Sequence, residues 1–109
     1  GQAAELAGDV REEPHAAALV ALAVERFGRL DGAFNNAGTI GPLAPSTAVD
    51  LSAWNETLAT NLTSAFVAAK HQIPALLRSG GGALLFTSTF VGHTVGFPGT
   101  AAYAASKAG

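Results

Sequence analysis

Two kinds of hydrophobic pattern alternate along the chain, and they predict helices and strands in turn. Apolar residues recur every three to four positions over residues 12–27 and 52–77, which is the spacing of an amphipathic helix. Short apolar runs flank these stretches and predict strands at residues 4–10, 30–34 and 81–87. A last helix is predicted to begin near Thr100. Elements in this order are typical of an α/β fold.

Single residues mark the ends of the predicted helices. Glu13 and Pro14 suit a first turn, where a carboxylate meets the positive end of the helix dipole and proline needs no N–H. Gly28 is predicted to end the first helix in a left-handed conformation. Ser52 is a candidate N-cap for the long helix, and Pro74 is expected to kink that helix near its end.

Composition narrows the classes of function. With 109 residues the chain has room for one domain, residues 1–109, and its 49% hydrophobic and 13% charged content suits buried parallel strands. A net charge of −2 argues against nucleic-acid binding, and no apolar run is long enough to span a membrane. The lack of cysteine excludes disulfides and thiolate chemistry. These features, with no evident signal peptide, lead us to expect a cytoplasmic location.

Tyr103 and Lys107 form the first candidate for chemistry. Four positions apart on the last helix, they share one face and lie one turn from each other. A tyrosine hydroxyl titrates near 10 in water, and a neighbouring ammonium favours the phenolate, which can make a tyrosine a working acid and base. The alternative is a chance pair of helix neighbours.

Two hydroxyls follow the strand predicted at 81–87. Ser88 and Thr89 lie at its C-terminal end, where a hydroxyl could hydrogen-bond a substrate oxygen that the tyrosine protonates. Together with the Tyr–Lys pair they predict a site for interconverting an alcohol and a carbonyl.

Three asparagines stand out as further candidates. Asn35 and Asn36 precede Ala37 and Gly38 after a strand, where small residues let the backbone approach a ligand closely, although such residues also make simple turns. Asn61 falls on the apolar stripe of the long helix, where an unpaired amide would cost about 1–3 kcal/mol. It is either a hydrogen-bonded core amide or a functional group.

No metal site is predicted. The three histidines, His15, His71 and His93, are scattered, without a second histidine or a carboxylate at ligand spacing. Surface or supporting roles are expected for all three.

These motifs, in this order and at these separations, resemble the short-chain dehydrogenase/reductase family. The Tyr-x-x-x-Lys pair, the Asn-Asn-Ala-Gly turn, the helix asparagine and the Ser/Thr-rich strand end all match over essentially the whole chain. The resemblance implies a Rossmann-like, doubly wound parallel sheet, of which three strands and their flanking helices, the central portion, would be present. It also implies NAD or NADP as cofactor.

The resemblance also implies a role for each candidate. Tyr103 would transfer the proton, Lys107 would make the tyrosine a stronger acid and contact the nicotinamide ribose, and Asn61 would order a proton-relay water. A hydroxyl, Thr89 or Ser88, would hold the substrate oxygen. Besides Tyr103 and Lys107, the residues expected to line the cofactor are Asp9, Val10, Asn36, Ala37 and Gly38.

The chain also departs from the family pattern. No strand is followed by the Gly-x-x-x-Gly-x-Gly turn that binds phosphate, so an internal fragment of a longer domain is expected. The family serine usually stands three residues before a glycine, and counting back from Gly92 gives Thr89 rather than Ser88.

Two functions remain open at this point. The first is an oxidoreductase acting on a small alcohol or ketone; the second is a dinucleotide-binding redox sensor of the same fold without turnover. Family members commonly pair through the two helices that carry Asn61 and Tyr103, and a homodimer or homotetramer is therefore expected.

Overall fold

The computed structural model describes all residues from Gly1 to Gly109. Helices and strands alternate, which confirms the predicted α/β class. Their bounds in chain order are α1 Glu13–Phe27, β1 Gly32–Asn35, a 3-10 turn Ser46–Ala48, α2 Leu51–Leu58, a π-helical segment Ala59–Thr63, α3 Ser64–Arg78, β2 Ala83–Phe86 and α4 Ala101–Ala108. None of these helices combines the length and apolar content that crossing a bilayer requires.

The chain divides into two compact units, which are described in turn. The first, the sheet unit, comprises Gly1–Asn35 and Ser64–Phe86, and it holds α1, α3 and both strands. The second, the site unit, comprises Asn36–Thr63 and Thr87–Gly109, and it holds α2, the π segment and α4.

Helix α1 begins and ends as predicted. Glu13 lies in its first turn and Pro14 at its N-terminus, where a missing N–H costs nothing. Gly28 closes the helix with a φ of 82°, and its N–H donates to the Val24 carbonyl at 2.8 Å. The Glu13 carboxylate also accepts hydrogen bonds from Lys70, at 2.5 Å, and from His71, at 3.0 Å. These hydrogen bonds lower the pKa of Glu13, with that from Lys70 as the largest cause. Because Glu13 lies on α1 and both donors lie on α3, the carboxylate also joins the two helices.

The sheet has two parallel strands rather than the expected three. β1 pairs with β2 from Gly32 opposite Ala83 to Asn35 opposite Phe86. Residues 4–8, predicted as part of a strand, form none, because no neighbouring segment supplies the ladder hydrogen bonds that a strand requires. The Rossmann-like topology is therefore represented by one parallel pair.

The strands are also less buried than their apolar sequence predicts. Because side chains alternate between faces, Ala33, Asn35 and Leu84 point to one side and are half-buried. On the other side Phe34 is 69% and Leu85 52% exposed. Helix α3 packs on both strands and leaves that opposite face open.

A reciprocal pair of amides fixes the end of β1 against α3. Asn35 donates to the Gln72 side chain at 2.8 Å, and Gln72 donates back to Asn35 at 2.9 Å. Gln72 is buried, so each amide satisfies the other where an unpaired one would be costly. The pairing positions the strand end that leads into the Asn36–Gly38 turn.

The long helical stretch differs from prediction at its start and in the middle. Asp50, not Ser52, precedes the first helical residue, and Leu51 opens α2. Pro74 lies inside α3, near its end as predicted, and the helix runs to Arg78; the expected kink stays a prediction. Residues Ala59–Thr63 form a π segment that the regular spacing of apolar residues did not indicate.

Asp9 and Val10 lie in a turn before α1, in the sheet unit. The Arg11 guanidinium holds the Asp9 carboxylate with Nε at 3.0 Å from both oxygens, and the Arg11 backbone N–H donates to it at 2.9 Å. The side-chain hydrogen bond from Arg11, then its backbone N–H, lowers the pKa of Asp9 from the usual 3.8 to about 2. Val10 is half-buried.

Replacing Arg11 should therefore raise the pKa of Asp9. A carboxyl with a depressed pKa adds stability above its unfolded value of 3.8, and loses that contribution as pH falls through about 2. We expect Arg11→Gln to return the Asp9 titration, followed by carboxyl ¹³C NMR, toward 3.8. Arg29→Gln, which removes the partner of Asp31, is the control and should leave Asp9 unchanged. If the pKa of Asp9 is the same in Arg11→Gln as in wild type, Arg11 is not the cause of its low value.

Candidate active site

The turn after β1 is tied to the segment after β2. The hydroxyl of Thr87 donates to Asn36 Oδ1 at 2.7 Å. Asn36, Ala37 and Gly38 are exposed, with no bulky side chain among them. Because the carboxyl ends of parallel strands lie at one edge of a sheet, this is the position where α/β proteins place ligands.

Asn61 connects this turn to the π segment. Its Oδ1 accepts the Thr39 backbone N–H at 2.8 Å, and its Nδ2 donates to the Thr39 carbonyl at 2.8 Å. The second N–H of the amide donates to Ser106 Oγ at 2.9 Å. Asn61 is 9% exposed, so the structure pairs an amide that burial would otherwise penalise. π segments inside helices occur frequently at functional sites.

Helix α4 presents the predicted pair. Thr100 precedes its first residue, as expected, and Tyr103 and Lys107 are both half-buried on it. Lys107 Nζ donates to the Thr87 carbonyl at 3.0 Å, which fixes the ammonium within the site unit. An ammonium has three donors, so two remain for a ligand.

Gly38 brings Asn61 and Lys107 to one point. A Cβ built on Gly38 would lie 3.3 Å from Asn61 Oδ1 and 3.4 Å from Lys107 Nζ. Both polar atoms therefore pack against the bare α-carbon of this glycine. The turn, the π segment and α4 meet here, and each supplies one of the predicted site residues.

The two candidate hydroxyls differ in their surroundings. Thr89 is half-buried, and its Oγ1 accepts the Val91 N–H at 3.3 Å, which leaves the hydroxyl hydrogen to donate elsewhere. Ser88 is exposed. Which hydroxyl holds the substrate oxygen stays a prediction. The hydrogen bond that fixes the Thr89 hydroxyl favours Thr89.

Gly92 seats the loop after Thr89 against α4. Its φ is +88°, and a Cβ there would lie 2.6 Å from the Ala104 carbonyl, so this position accepts only glycine. The loop closes on itself where the Gly92 N–H donates to the Val95 carbonyl at 2.8 Å. Phe90 and Phe97 meet edge to face within it, with ring centroids 6.1 Å apart.

Sequence reasoning missed three residues that support this site. Thr39 contributes its backbone N–H and carbonyl, and Thr87 contributes its hydroxyl and its carbonyl; the sequence carries no signal for the backbone atoms. Ser106 is 2% exposed, accepts from Asn61 and donates to the Tyr103 carbonyl at 2.8 Å. Its place three residues after Tyr103 on a helix is the one signal that could have found it. Within the same unit, His93 Nε2 lies 3.3 Å from the Lys107 carbonyl oxygen.

The chain belongs to the short-chain dehydrogenase family. A family model described as short chain dehydrogenase matches residues 1–109. This confirms the resemblance drawn from the Tyr-x-x-x-Lys pair and the Asn-Asn-Ala-Gly turn, and with it the Rossmann-type fold.

Curated relatives support the same membership. The chain is 33% identical over all its residues to cyclohexanol dehydrogenase from Acinetobacter sp. (strain SE19). It is 36% identical over 101 residues, 93% of its length, to cis-4-hydroxycyclohexanecarboxylate dehydrogenase from Sinomonas cyclohexanicum. The chain spans 43% of the first relative and 40% of the second.

Solved structures show the same fold. A 3-ketoacyl-ACP reductase from Sinorhizobium meliloti 1021 superimposes with a TM-score of 0.93 at 38% identity, over 99% of this chain and 43% of that one. NAD⁺-bound xylitol dehydrogenase gives a TM-score of 0.86 at 32% identity, over 92% of this chain and 38% of that one.

The shared contact at Gly38 predicts that even a methyl group there is harmful. Gly38→Ala would force the Asn61 amide or the Lys107 ammonium to move by a few tenths of an ångström. Overpacking of this kind costs about 1–3 kcal/mol. We expect a lower free energy of unfolding in urea for Gly38→Ala than for Gly96→Ala, where a Cβ would meet nothing within 4 Å. Equal stability of the two variants would show that Gly38 is not a close contact.

Proposed function

We propose that the protein containing this chain is an oxidoreductase that interconverts an alcohol and a carbonyl with NAD or NADP. The observation that carries the proposal is the meeting of Lys107 Nζ and Asn61 Oδ1 at Gly38, in the unit that also holds Tyr103. Membership of a family whose relatives are named dehydrogenases and reductases supports the reaction class.

The residues at the turn suit a nicotinamide cofactor. The two remaining donors of Lys107 fit ribose hydroxyls, and the exposed small residues from Asn36 to Gly38 allow close approach. Asp9 and Val10 are proposed to line the cofactor as well, as the family resemblance implies. When bound, the cofactor supplies the hydride, while the protein supplies position and charge. A structure of xylitol dehydrogenase with NAD⁺ supports the cofactor class.

The proton is proposed to move through Tyr103. Its hydroxyl would donate to the substrate oxygen during carbonyl reduction, and the phenolate would accept the proton during alcohol oxidation. Lys107 lies one helical turn from Tyr103 on α4, and Thr89, or Ser88, would hold the same substrate oxygen by a hydrogen bond.

Asn61 is proposed to order the water that relays this proton. Both N–H groups of its amide are used, by the Thr39 carbonyl and by Ser106. A water on this side chain would therefore donate to Oδ1, the atom that lies 3.3 Å from the Cβ position of Gly38.

We further propose that the substrate is a small alicyclic alcohol or ketone. Two curated relatives are named for alcohols on a cyclohexane ring. The rings of Phe90 and Phe97, 60% and 49% exposed, lie in the loop that joins Thr89 to α4 and offer an apolar surface to such a ring.

Tyr103→Phe should abolish most turnover without weakening cofactor binding. Losing the proton donor is expected to lower kcat by roughly 100-fold or more. Oxidation of cyclohexanol with NAD⁺ or NADP⁺, followed at 340 nm in the complete protein, measures kcat, and fluorescence titration measures cofactor affinity. Thr94→Val, which removes an exposed hydroxyl from the loop between Thr89 and α4, is the control. Turnover of Tyr103→Phe within a few-fold of wild type would exclude Tyr103 as the donor.

The choice of hydroxyl is tested by an opposed pair of variants. Thr89→Val keeps the shape and removes the hydroxyl, so it should lower kcat/KM by at least about 100-fold, whereas Ser88→Ala should change it by less than about 5-fold, taking the usual worth of a hydrogen bond made in the transition state. The reverse ranking would assign the role to Ser88.

The complete protein is proposed to be a homodimer or homotetramer. Phe66, Ile73 and Leu77 form an exposed apolar stripe on α3, 66%, 44% and 70% exposed, and Ala108 is exposed on α4. Apolar surface of this kind usually marks an interface. Assembly through these helices, in line with the family resemblance, would place this surface in two-fold contacts.

Charge introduced on these helices should impair assembly. We expect Ala69→Glu or Ala108→Glu to shift the mass measured by light scattering toward the monomer, because a buried unpaired carboxylate is costly. Ala18→Glu on the exposed side of α1 is the control and should keep the wild-type mass. A wild-type protein that is an active monomer at micromolar concentration would refute the assembly.

A further inference from the structure

Ser106 is a buried hydroxyl that the proposed chemistry does not use. It is 2% exposed, although it stands directly before Lys107 and three residues after Tyr103. Its Oγ accepts one N–H of Asn61 at 2.9 Å and donates to the Tyr103 carbonyl at 2.8 Å. The hydroxyl thus joins the asparagine of the π segment to the helix that carries the proposed proton donor.

We propose that Ser106 is a positioning residue that fixes the side-chain amide of Asn61. Through that amide it also fixes the α-carbon of Gly38, against which the Lys107 ammonium packs. The inference rests on the proposed oxidoreductase function for its effect on turnover. The hydrogen-bond linkage itself stands on the contacts alone.

The first step is the orientation of the amide. A serine hydroxyl has a single hydrogen, and here it goes to the Tyr103 carbonyl, so toward Asn61 the oxygen can only accept. It therefore selects the Nδ2 side of the amide and turns Oδ1 the other way, toward the Thr39 N–H. Without Ser106, one buried N–H of Asn61 would lose its partner.

The second step passes from the amide to the backbone. Asn61 holds both the N–H and the carbonyl of Thr39, each at 2.8 Å, so this one residue of the turn is clamped on two sides. Thr39 directly follows Gly38, and the clamp therefore also sets where the α-carbon of Gly38 lies. Lys107 Nζ packs against that α-carbon and donates to the Thr87 carbonyl.

The consequence is a closed path of contacts that starts at Ser106 and returns to the adjacent residue on α4, Lys107. Ser106 acts on Asn61, Asn61 on Thr39 and Gly38, and Gly38 on Lys107, the residue next to Ser106 in the chain. A displacement of about 1 Å in a catalytic group can cost as much as 100-fold in rate, so loss of one hydroxyl in this path should reach turnover.

The kinetic test is a double-mutant cycle in the complete protein. Ser106→Ala is expected to lower kcat for cyclohexanol oxidation between about 10-fold and 100-fold, with a smaller change in KM. Ser106→Cys, similar in size but a weak acceptor, should behave in the same way. In an Asn61→Ala background, Ser106→Ala should cause little further loss, because the path is already broken. Losses that multiply in the double variant would overturn the proposal.

Thr57 supplies the matched control. It is another 2% exposed hydroxyl in the site unit, and it donates its hydrogen bond to the Ala53 carbonyl, at 2.8 Å, rather than to Asn61. Thr57→Val should lower stability to a degree comparable with Ser106→Ala and keep kcat near the wild-type value. Equal kcat in Thr57→Val and Ser106→Ala would mean that Ser106 only stabilises the fold, and the proposal would fail.

A second measurement does not depend on activity. In wild type, the side-chain NH₂ protons of Asn61 should exchange slowly with solvent, and Ser106→Ala should speed that exchange by about 10-fold or more, the factor for one lost hydrogen bond. The Lys107 Nζ signal should shift in Ser106→Ala and stay in place in Thr57→Val. Unchanged Asn61 exchange or an unchanged Lys107 signal would refute the linkage. If the complete protein oxidises no alcohol, the proposed function is wrong. The exchange measurement then decides by itself whether Ser106 positions Asn61.

Discussion

The site unit depends on the pairing of one buried amide. Asn61 occupies a position that the helical pattern assigns to apolar side chains, and there an unpaired amide would cost about 1–3 kcal/mol. All its N–H groups and one lone pair are used, by Thr39 on one side and Ser106 on the other. The turn after β1, the π segment and α4 are therefore held by the same side chain, and the proposed catalytic groups take their places around it.

Local rules predicted the elements well where one or two residues decide the outcome. α1 runs from Glu13 to Phe27 because Pro14 and Gly28 favour its two ends, and both act within a turn of their own position. The failures concern partners. A strand was predicted at residues 4–10 from apolar content, but none forms there because a strand needs a paired neighbour. The strand predicted at 81–87 does form, at Ala83–Phe86, but it is less buried than expected because burial needs a covering layer. Ser52 was a suitable cap residue by type, but the helix begins one position before it.

Sequence patterns predicted the residues proposed to carry the chemistry, but only some of the residues that hold them in place. Tyr103 and Lys107 could be found because helical spacing places them on one face. The bonds that fix their surroundings join residues far apart in the chain: Asn61 is 22 residues from Thr39 and 45 from Ser106, and Thr87 is 51 from Asn36. Such pairs are invisible to any local pattern. The cost of an amide on an apolar stripe predicted that Asn61 would have partners, without saying which.

The parallel pairing of the two strands also bears on how the chain folds. Gly32 lies opposite Ala83, fifty-one positions further along, and every other pair of the ladder has the same separation. Contacts between such distant residues form slowly, because closing the intervening loop costs entropy before any contact is gained. The helices between them can form locally and much faster. We therefore expect the strand ladder to be among the last structures to assemble, and the edge where the proposed cofactor would bind to exist only once the chain has nearly finished folding.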